Sequence, residues 1–351
     1  MSKITLLCLM ILCLFAVLPA TIIHTMIDDS DMEGIKREVT SQPDLLEEKN
    51  ENVLSPLNYA VCAGNLDMTK LLIGLDADVH SGDREGSHPL INAAALGFME
   101  ITQYLVEHGA EIDRKDDNDN TALCFALVRN QSEIASYLLE QGADPNITKM
   151  NGLPGLFFAV INGDLPLVKQ MIESNAVIDT TTVSGVTPLV SACTHGHLDI
   201  VKYLIEQGAD IEKEDDQGRT PIFWAAMRGQ SDCVEYLIAA GADVNKTNNE
   251  GETPVFLATG DLTTLKLIQE HGGDIQKLNN AGSNLLINIH WNGNVETLLY
   301  LVKQIDVNQF NDYGTSGFYF AIQQDSLEFV KIFLENGAEP NFRTPDLIKC
   351  N

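Results

Sequence analysis

The sequence predicts an all-α solenoid, a stack of short helical hairpins, and three observations carry that prediction. The first is a strict period. Pro56, Pro89, Ala122, Gly155, Pro188, Pro221 and Pro254 follow one another at intervals of 33, and Ala77, Ala110, Ala143, Ala176, Ala209 and Ala242 keep the same step. Self-similarity at such a step marks stacked supersecondary units, each unable to bury its apolar face alone. The second is a single slot after each apolar run, held by Gly109, Gly142, Gly208, Gly241 and Gly337 and, in phase with them, by Asp76 and Asn175. A chain that leaves a helix through a left-handed residue uses glycine there, and Asp and Asn are among the few side chains that tolerate the conformation. The third is helical periodicity: "HLDIVKYLIEQ" places Leu198, Ile200, Val201, Leu204 and Ile205 on one stripe, which needs a neighbour to cover it.

In chain order, residues 1–20 fall outside the array. Lys3, an apolar run from Ile4 to Leu18 and the closing Pro19-Ala20 have the layout of a secretory signal. The anchor reading stays open, although Ile4 to Ile23 reaches the span of about twenty apolar residues only by including Pro19. Residues 21–52 read as an N-terminal capping half-repeat, with Ser30 in the phase of Gly64 and Thr21 in a threonine slot. Repeats then begin near Val53, Gly86, Asp119, Gly152, Gly185, Gly218, Gly251, Gly282 and Gly314 and run to residue 345, leaving 346–351 as a tail.

Within a regular repeat, a pair such as Thr187-Pro188 or Thr220-Pro221 starts the first helix: the hydroxyl caps a free amide, and proline suits the first turn, where its missing N–H costs nothing. Departures are informative. "NGLPGLFFAV" puts Pro154-Gly155 in that place, "FLATGDLTT" is two residues short, "AGSNLLINIHWNG" has no Thr-Pro and "VKQIDVN" lacks the closing glycine. A stack stabilised by nearest-neighbour interfaces is expected to be weakest across residues 251–313. In the last repeat Phe329 and Phe333 are expected to be exposed, either for association or for cover by the tail.

With these units in view, "GRTPIFWAAMRG" and "GADVN" resemble the ankyrin repeat, over about residues 21–345 and most closely over 86–258. The resemblance implies an ankyrin-type solenoid of about nine repeats plus the capping half-repeat, with two antiparallel helices per repeat, a projecting hairpin and a concave binding face. It also implies where a partner is contacted: the hairpin tips and the two residues before the mid-repeat glycine. Those columns read Ala95, Val128, Ile161, Thr194, Met227 and Leu96, Arg129, Asn162, His195, Arg228. Tip residues Met150, Leu153, Val183 and Val186 form an apolar centre flanked by Asp116, Asp117, Asp215 and Asp216, and Trp291 stands in phase among the weaker repeats. The expected partner-binding set is therefore Met150, Leu153, Ile161, Val183, Val186, His195, Met227, Arg228, Asp116, Asp117, Asp215, Asp216 and Trp291.

Composition narrows the partner. With 22 Lys and Arg against 50 Asp and Glu, the net charge of −28 repels phosphate backbones and anionic lipid, so no nucleic acid and no membrane surface is expected, and a protein with basic edges is. Membrane attachment would come only from an uncleaved N-terminal segment. The seven cysteines, at 8, 13, 62, 124, 193, 233 and 350, form no close pairs, and those at 62, 124 and 193 lie in apolar helical runs as small core residues.

No cofactor, metal site or catalytic constellation is read from the sequence. His195 and His197 are two apart and do not share a helix face. The acid-rich "DRKDDNDNTALCF" and "EKEDDQGRT" lack the glycine and glutamate spacing of an EF-hand. The N-x-Ser/Thr sites at Asn130, Asn146 and Asn245 permit glycosylation, but the last two fall in the "GADVN"-type loop and have a turn role there. The chain thus reads as a non-enzymatic scaffold, exported or otherwise extracytoplasmic. A membrane-tethered or cytosolic adaptor, and a subunit completing an enzyme, are the other classes.

Overall fold

The structure is a computed structural model that describes residues 22–340 apart from 51, 148, 151 and 293. The chain divides into two compact units at residues 150 and 151. Both consist of helix pairs, and each pair is one repeat.

The first unit holds α1 (Ile22–Asp28), α2 (Met32–Ser41), a 3₁₀ turn at Pro43–Leu46, α3 (Pro56–Cys62), α4 (Leu66–Gly74), α5 (Pro89–Leu96), α6 (Met99–Glu107), α7 (Ala122–Val128), α8 (Ser132–Glu140) and the extended pair β1 (Lys149–Met150). The second holds β2 (Leu153–Pro154), α9 (Gly155–Ile161), α10 (Leu165–Glu173), α11 (Pro188–His195), α12 (Leu198–Glu206), α13 (Pro221–Met227), α14 (Ser231–Ala239), α15 (Pro254–Leu257), a 3₁₀ turn at Ala258–Gly260, α16 (Leu262–Glu270), α17 (Leu285–Asn292), α18 (Val295–Leu301), α19 (Gly317–Gln323) and α20 (Leu327–Glu335). The first helices stack on one another, α3 on α5 and α5 on α7, then α9 on α11, α11 on α13 and α13 on α15. These helices are apolar nearly all round. Leu90, Ala93, Leu123, Ala126, Leu189, Ala192, Ile222 and Ala225 are fully buried, the alanines letting the next helix approach closely. Phe157, Phe223 and Phe256 fill the larger gaps, each worth roughly 1.5–3 kcal/mol of burial.

The periodic slot after the second helix is left-handed at every position that the sequence singles out. Its φ is 91° at Gly109, 96° at Gly142, 93° at Gly208, 101° at Gly241 and 89° at Gly337, and Asp76 and Asn175 share it at 68° and 67°. An amide just past each of these residues closes the helix, as Ala209 N–H does on Leu204 C=O at 2.9 Å. Between the paired helices a second left-handed slot holds Gly64 at 68° and Ser30 at 57°, the phase that the sequence assigns to both.

Helix starts follow the expected chemistry with one correction. Ser55, Thr121, Thr187, Asn284 and Ser316 accept from the amide three residues on. Thr220 does not: the Phe223 amide binds the Thr220 carbonyl at 3.0 Å, tightening the first turn, and the Thr220 hydroxyl is buried without a partner. Thr253 behaves the same way, with Phe256 on its carbonyl. Pro154 takes the capping place of α9 with no side-chain acceptor, yet the helix starts in phase at Gly155.

The irregular repeats are irregular in the fold. α15 is four residues long and passes into a 3₁₀ turn, absorbing the two-residue deletion. α16 and α20 are followed by left-handed Gly272 and Gly337 at 92° and 89°, whereas among the described residues no positive φ follows α18 before Gly314. In the last repeat Phe333 is fully buried and meets Phe318 edge-on at 6.2 Å, correcting the expectation of exposure, while Phe329 is half-buried. Helical phase explains the difference: Phe333 lies on the stripe of α20 that faces α19. Leu327 and Leu334 are the residues that face outward. The expected tail, 346–351, lies outside the described residues.

Fewer regular helical hydrogen bonds and a missing left-handed closure lower the local opening free energy. Amide exchange in the folded protein is expected to be faster across residues 251–313 than across 185–250; equal protection in a hydrogen–deuterium experiment would contradict this.

Candidate protein-binding face

Eight hairpins are each closed by one side chain. The third residue before the tip's left-handed residue accepts from the amides two and four places further on: Asn50, Asp83 and Asp116 in the first unit, and Thr182, Asp215, Asn248, Asn279 and Asn311 in the second, at 2.8–3.3 Å. The short polar side chain replaces a backbone acceptor and holds the turn. Neighbouring tips then join through single backbone bonds. Asp117 N–H donates to Glu85 C=O at 3.0 Å in the first unit; in the second, Asp216 donates to Ser184, Asn249 to Gln217, Asn280 to Glu250 and Asp312 to Ala281 at 2.9–3.1 Å.

This geometry reassigns two expected contact residues. Asp116 and Asp215 are only 8% and 7% exposed, because their carboxylates are turned inward to the hairpin amides. Asp116 also accepts from the Asn120 side-chain amide. Asp215 Oδ2 accepts from Arg219 Nε at 2.9 Å and from Trp224 Nε1 at 3.1 Å, and the guanidinium lies 4.1 Å from the Trp224 ring centroid. They are structural acids. Asp117 and Asp216, one place further on, are exposed at their tips.

In the second unit the apolar members of the expected set lie on the face made by first helices and hairpins. Val183 is 90% exposed and packs beside the Gly152 turn. Leu153, Val186 and Met227 are half-buried, and Ile161 and Arg228 are exposed on α9 and just past α13. His195 is exposed at the end of α11, where its Nδ1–H donates to Ser191 C=O at 2.8 Å; His197 Nε2–H donates to Ile161 C=O at 3.1 Å. The two rings stack at 5.9 Å, each spent on a backbone carbonyl. Met150, in the first unit, and Trp291, on α17, have side chains outside the described residues.

Burial pushes the thiols of Cys62 and Cys124 up to about 12 and that of Cys233 to about 11, and raises Cys193 as well. Such thiols are inert as nucleophiles. Among the described residues no group of three or more His, Cys, Asp and Glu is arranged to hold a metal ion.

The family model for ankyrin repeats (three copies) matches residues 45–149, 156–248, 213–279 and 255–344. The chain belongs to the ankyrin-repeat family. Among solved structures, the human ASB11 ankyrin repeat domain is similar at 25% identity and a TM-score of 0.55, over 63% of this chain and 99% of that one. No curated protein sequence matches the chain. Ankyrin repeats form protein–protein interaction scaffolds.

One column of this face escaped the sequence reading. Phe158 and Trp224 sit three residues before Ile161 and Met227, one helical turn away on the same side, and both are half-buried. The corresponding places in the first unit hold Tyr59, Asn92 and Phe125. The signal was present as an i, i+3 relation to the residues already singled out.

Truncating Asp215 removes acceptors from four donors and strands Arg219, whose side chain is 18% exposed. Asp215→Ala is expected to cost about 3–5 kcal/mol of stability, and Asp216→Ala less than about 0.5 kcal/mol, in urea unfolding. Equal effects would show that Asp215 does not organise the hairpin.

Proposed function

We propose that this protein is a non-enzymatic scaffold that grips another protein on the face formed by the first helices and hairpins of its second unit, the concave face in the family's geometry. The observation that carries the proposal is the row of incompletely buried apolar side chains, Phe158, Ile161, Trp224 and Met227 on the helices and Val183 at a tip, presented by hairpins that hydrogen bonds hold rigid. Rigid presentation lowers the ordering entropy that association costs. Exposed Asp216, and Asp117 in the first unit, add negative charge at the tips, and the chain as a whole carries −28, which favours a partner with basic edges.

Replacing Ile161, Val183 and Met227 together by serine is expected to leave the melting temperature nearly unchanged and to weaken partner binding by about a hundred-fold or more. The partner is recovered from the native source by cross-linking and its affinity measured for both proteins. Retained affinity would remove this face from consideration.

The protein acts outside the cytoplasm in this reading, with the first twenty residues cut away. The residue pattern Lys3, Ile4–Leu18, Pro19-Ala20 supports it, and buried, protonated thiols at Cys124, Cys193 and Cys233 persist unpaired in an oxidising compartment. Among the described residues no helix is long and apolar enough to cross a membrane. Mass spectrometry of the protein from its own cells should find a mature start at or near Thr21. An intact Met1 or Ser2 would mean a membrane-tethered or cytosolic adaptor instead.

A further inference from the structure

The place after the tip residue, where Leu153 and Val186 stand, is taken by Arg219 and then by Glu252 in the next two repeats. These side chains fill the corner where hairpin meets first helix. Their hairpins are joined by the 2.9 Å bond from Asn249 N–H to Gln217 C=O, and α13 packs on α15, so the two places are one repeat step apart, about 10 Å.

The two charges are treated differently. Arg219 is already answered, by Asp215 and by the Trp224 ring. Glu252 is only 8% exposed and among the described residues meets no cation: Asn288 Nδ2 donates to its Oε1 at 2.7 Å and Asn248 Nδ2 to its Oε2 at 3.1 Å. Two neutral amides aim the carboxylate and leave each oxygen a free lone pair. Asp116, the other buried acid without an ion pair, spends its oxygens inside its own turn, and Asp215 is paired with Arg219. Glu252 does not build its turn; that task belongs to Asn248, whose Oδ1 takes the Glu250 and Glu252 amides. The Asn288 bond crosses from one repeat to the next, yet neither amide brings the carboxylate a counter-charge.

We infer that Glu252, oriented by Asn248 and Asn288, receives one lysine or arginine side chain of the bound partner. The inference rests on the proposed binding face and specifies its chemistry. It also sets register: a basic side chain placed one repeat earlier meets the Arg219 guanidinium, whereas one placed at Glu252 completes an ion pair. Attraction at one step and repulsion at the neighbouring one select a single alignment of the partner along the stack.

The probe is a displayed library of random linear peptides selected on the mature chain, with Ile161→Ser/Val183→Ser/Met227→Ser as counter-selection. Peptides that need the intact face should share Lys or Arg at one position, and Glu252→Gln, which keeps the size but replaces one accepting oxygen by an NH₂ donor, should weaken them by about ten- to hundred-fold. The charge reversal Glu252→Lys should instead select an acid at the same position. Face-dependent peptides with no basic preference, or binding unchanged in Glu252→Gln, would overturn the inference while leaving the binding face intact. Peptides indifferent to the triple serine variant would remove the binding face and the inference with it. Calorimetric binding of calcium chloride that disappears in Glu252→Gln would also overturn it, by making the carboxylate a metal ligand. Circular dichroism of both Glu252 variants confirms that they fold.

Discussion

A single oxygen atom, on the third residue before the hairpin tip, closes the turn by accepting two backbone amides, and the geometry of eight hairpins depends on it. Without that acceptor the amides two and four residues on would have to seek water, and the loop would lose the shape that lets its neighbour's tip amide reach a carbonyl. The slot accepts carboxylate, carboxamide or hydroxyl: Asp83, Asn248 and Thr182 do the same work. What matters is a short side chain ending in an acceptor, because a longer one overshoots the amides. Lys149 is the one departure in sequence phase; it has no acceptor to offer, and the division between the two compact units falls just after it.

A second ladder reinforces the first at the far end of each repeat. Glu47, His80 and Asp113 in the first unit, and Asp179, Glu212, Asn245 and Asn308 in the second, accept from the backbone amide of Asp78, Glu111, Asp144, Asp210, Asp243, Asp274 and Glu339 respectively. Within each unit these bonds tie neighbouring repeats together in addition to helix packing. Stability then accumulates along the stack as a sum of interfaces. Asn245 uses both ends of its amide: its Oδ1 takes the Asp274 amide while its Nδ2 donates to Gly272 C=O at 2.9 Å.

The repetitive parts of the fold were legible because a rule applied many times averages out local exceptions. Proline, alanine and the left-handed slot marked helix starts, close packing and helix ends, and Asp76 and Asn175 identified the slot better than glycine alone, since few other residues fit there. Ser30 was placed by phase alone and is left-handed as Gly64 is. The capping of Thr220 was misread because an amide chooses between a hydroxyl and the carbonyl of the same residue, a contest settled by fractions of an ångström. Asp116 and Asp215 were misread for a different reason. Acid density in a loop says nothing about which oxygen points inward; the phase of each acid relative to its glycine does. Phe158 and Trp224 were legible through helix geometry but lay outside the two columns carried over from the family. Phe333 was a question of rotation about α20, which a pattern shared by Phe329 and Phe333 leaves open.

The acid excess now divides into three populations with different consequences. One sits in turns and ladders, as at Asp83, Asp215 and Glu212, where backbone amides answer it. Another begins the second helices, with Asp67, Glu100, Glu133, Asp199, Asp232, Glu296 and Glu328 in first turns, each favoured by the partial positive charge of the helix start. The rest is solvated, and the exposed ion pairs such as Lys36–Glu33 and Lys115–Asp119 neutralise little of it. A net charge of −28 therefore leaves a self-repulsion that the apolar stack must outweigh. A cationic partner bound to the folded chain relieves that repulsion as well as making its own contacts. Its binding free energy and the stability of the repeats beneath it are consequently linked; salt weakens the binding by screening the attraction, and steadies the free chain by screening its self-repulsion.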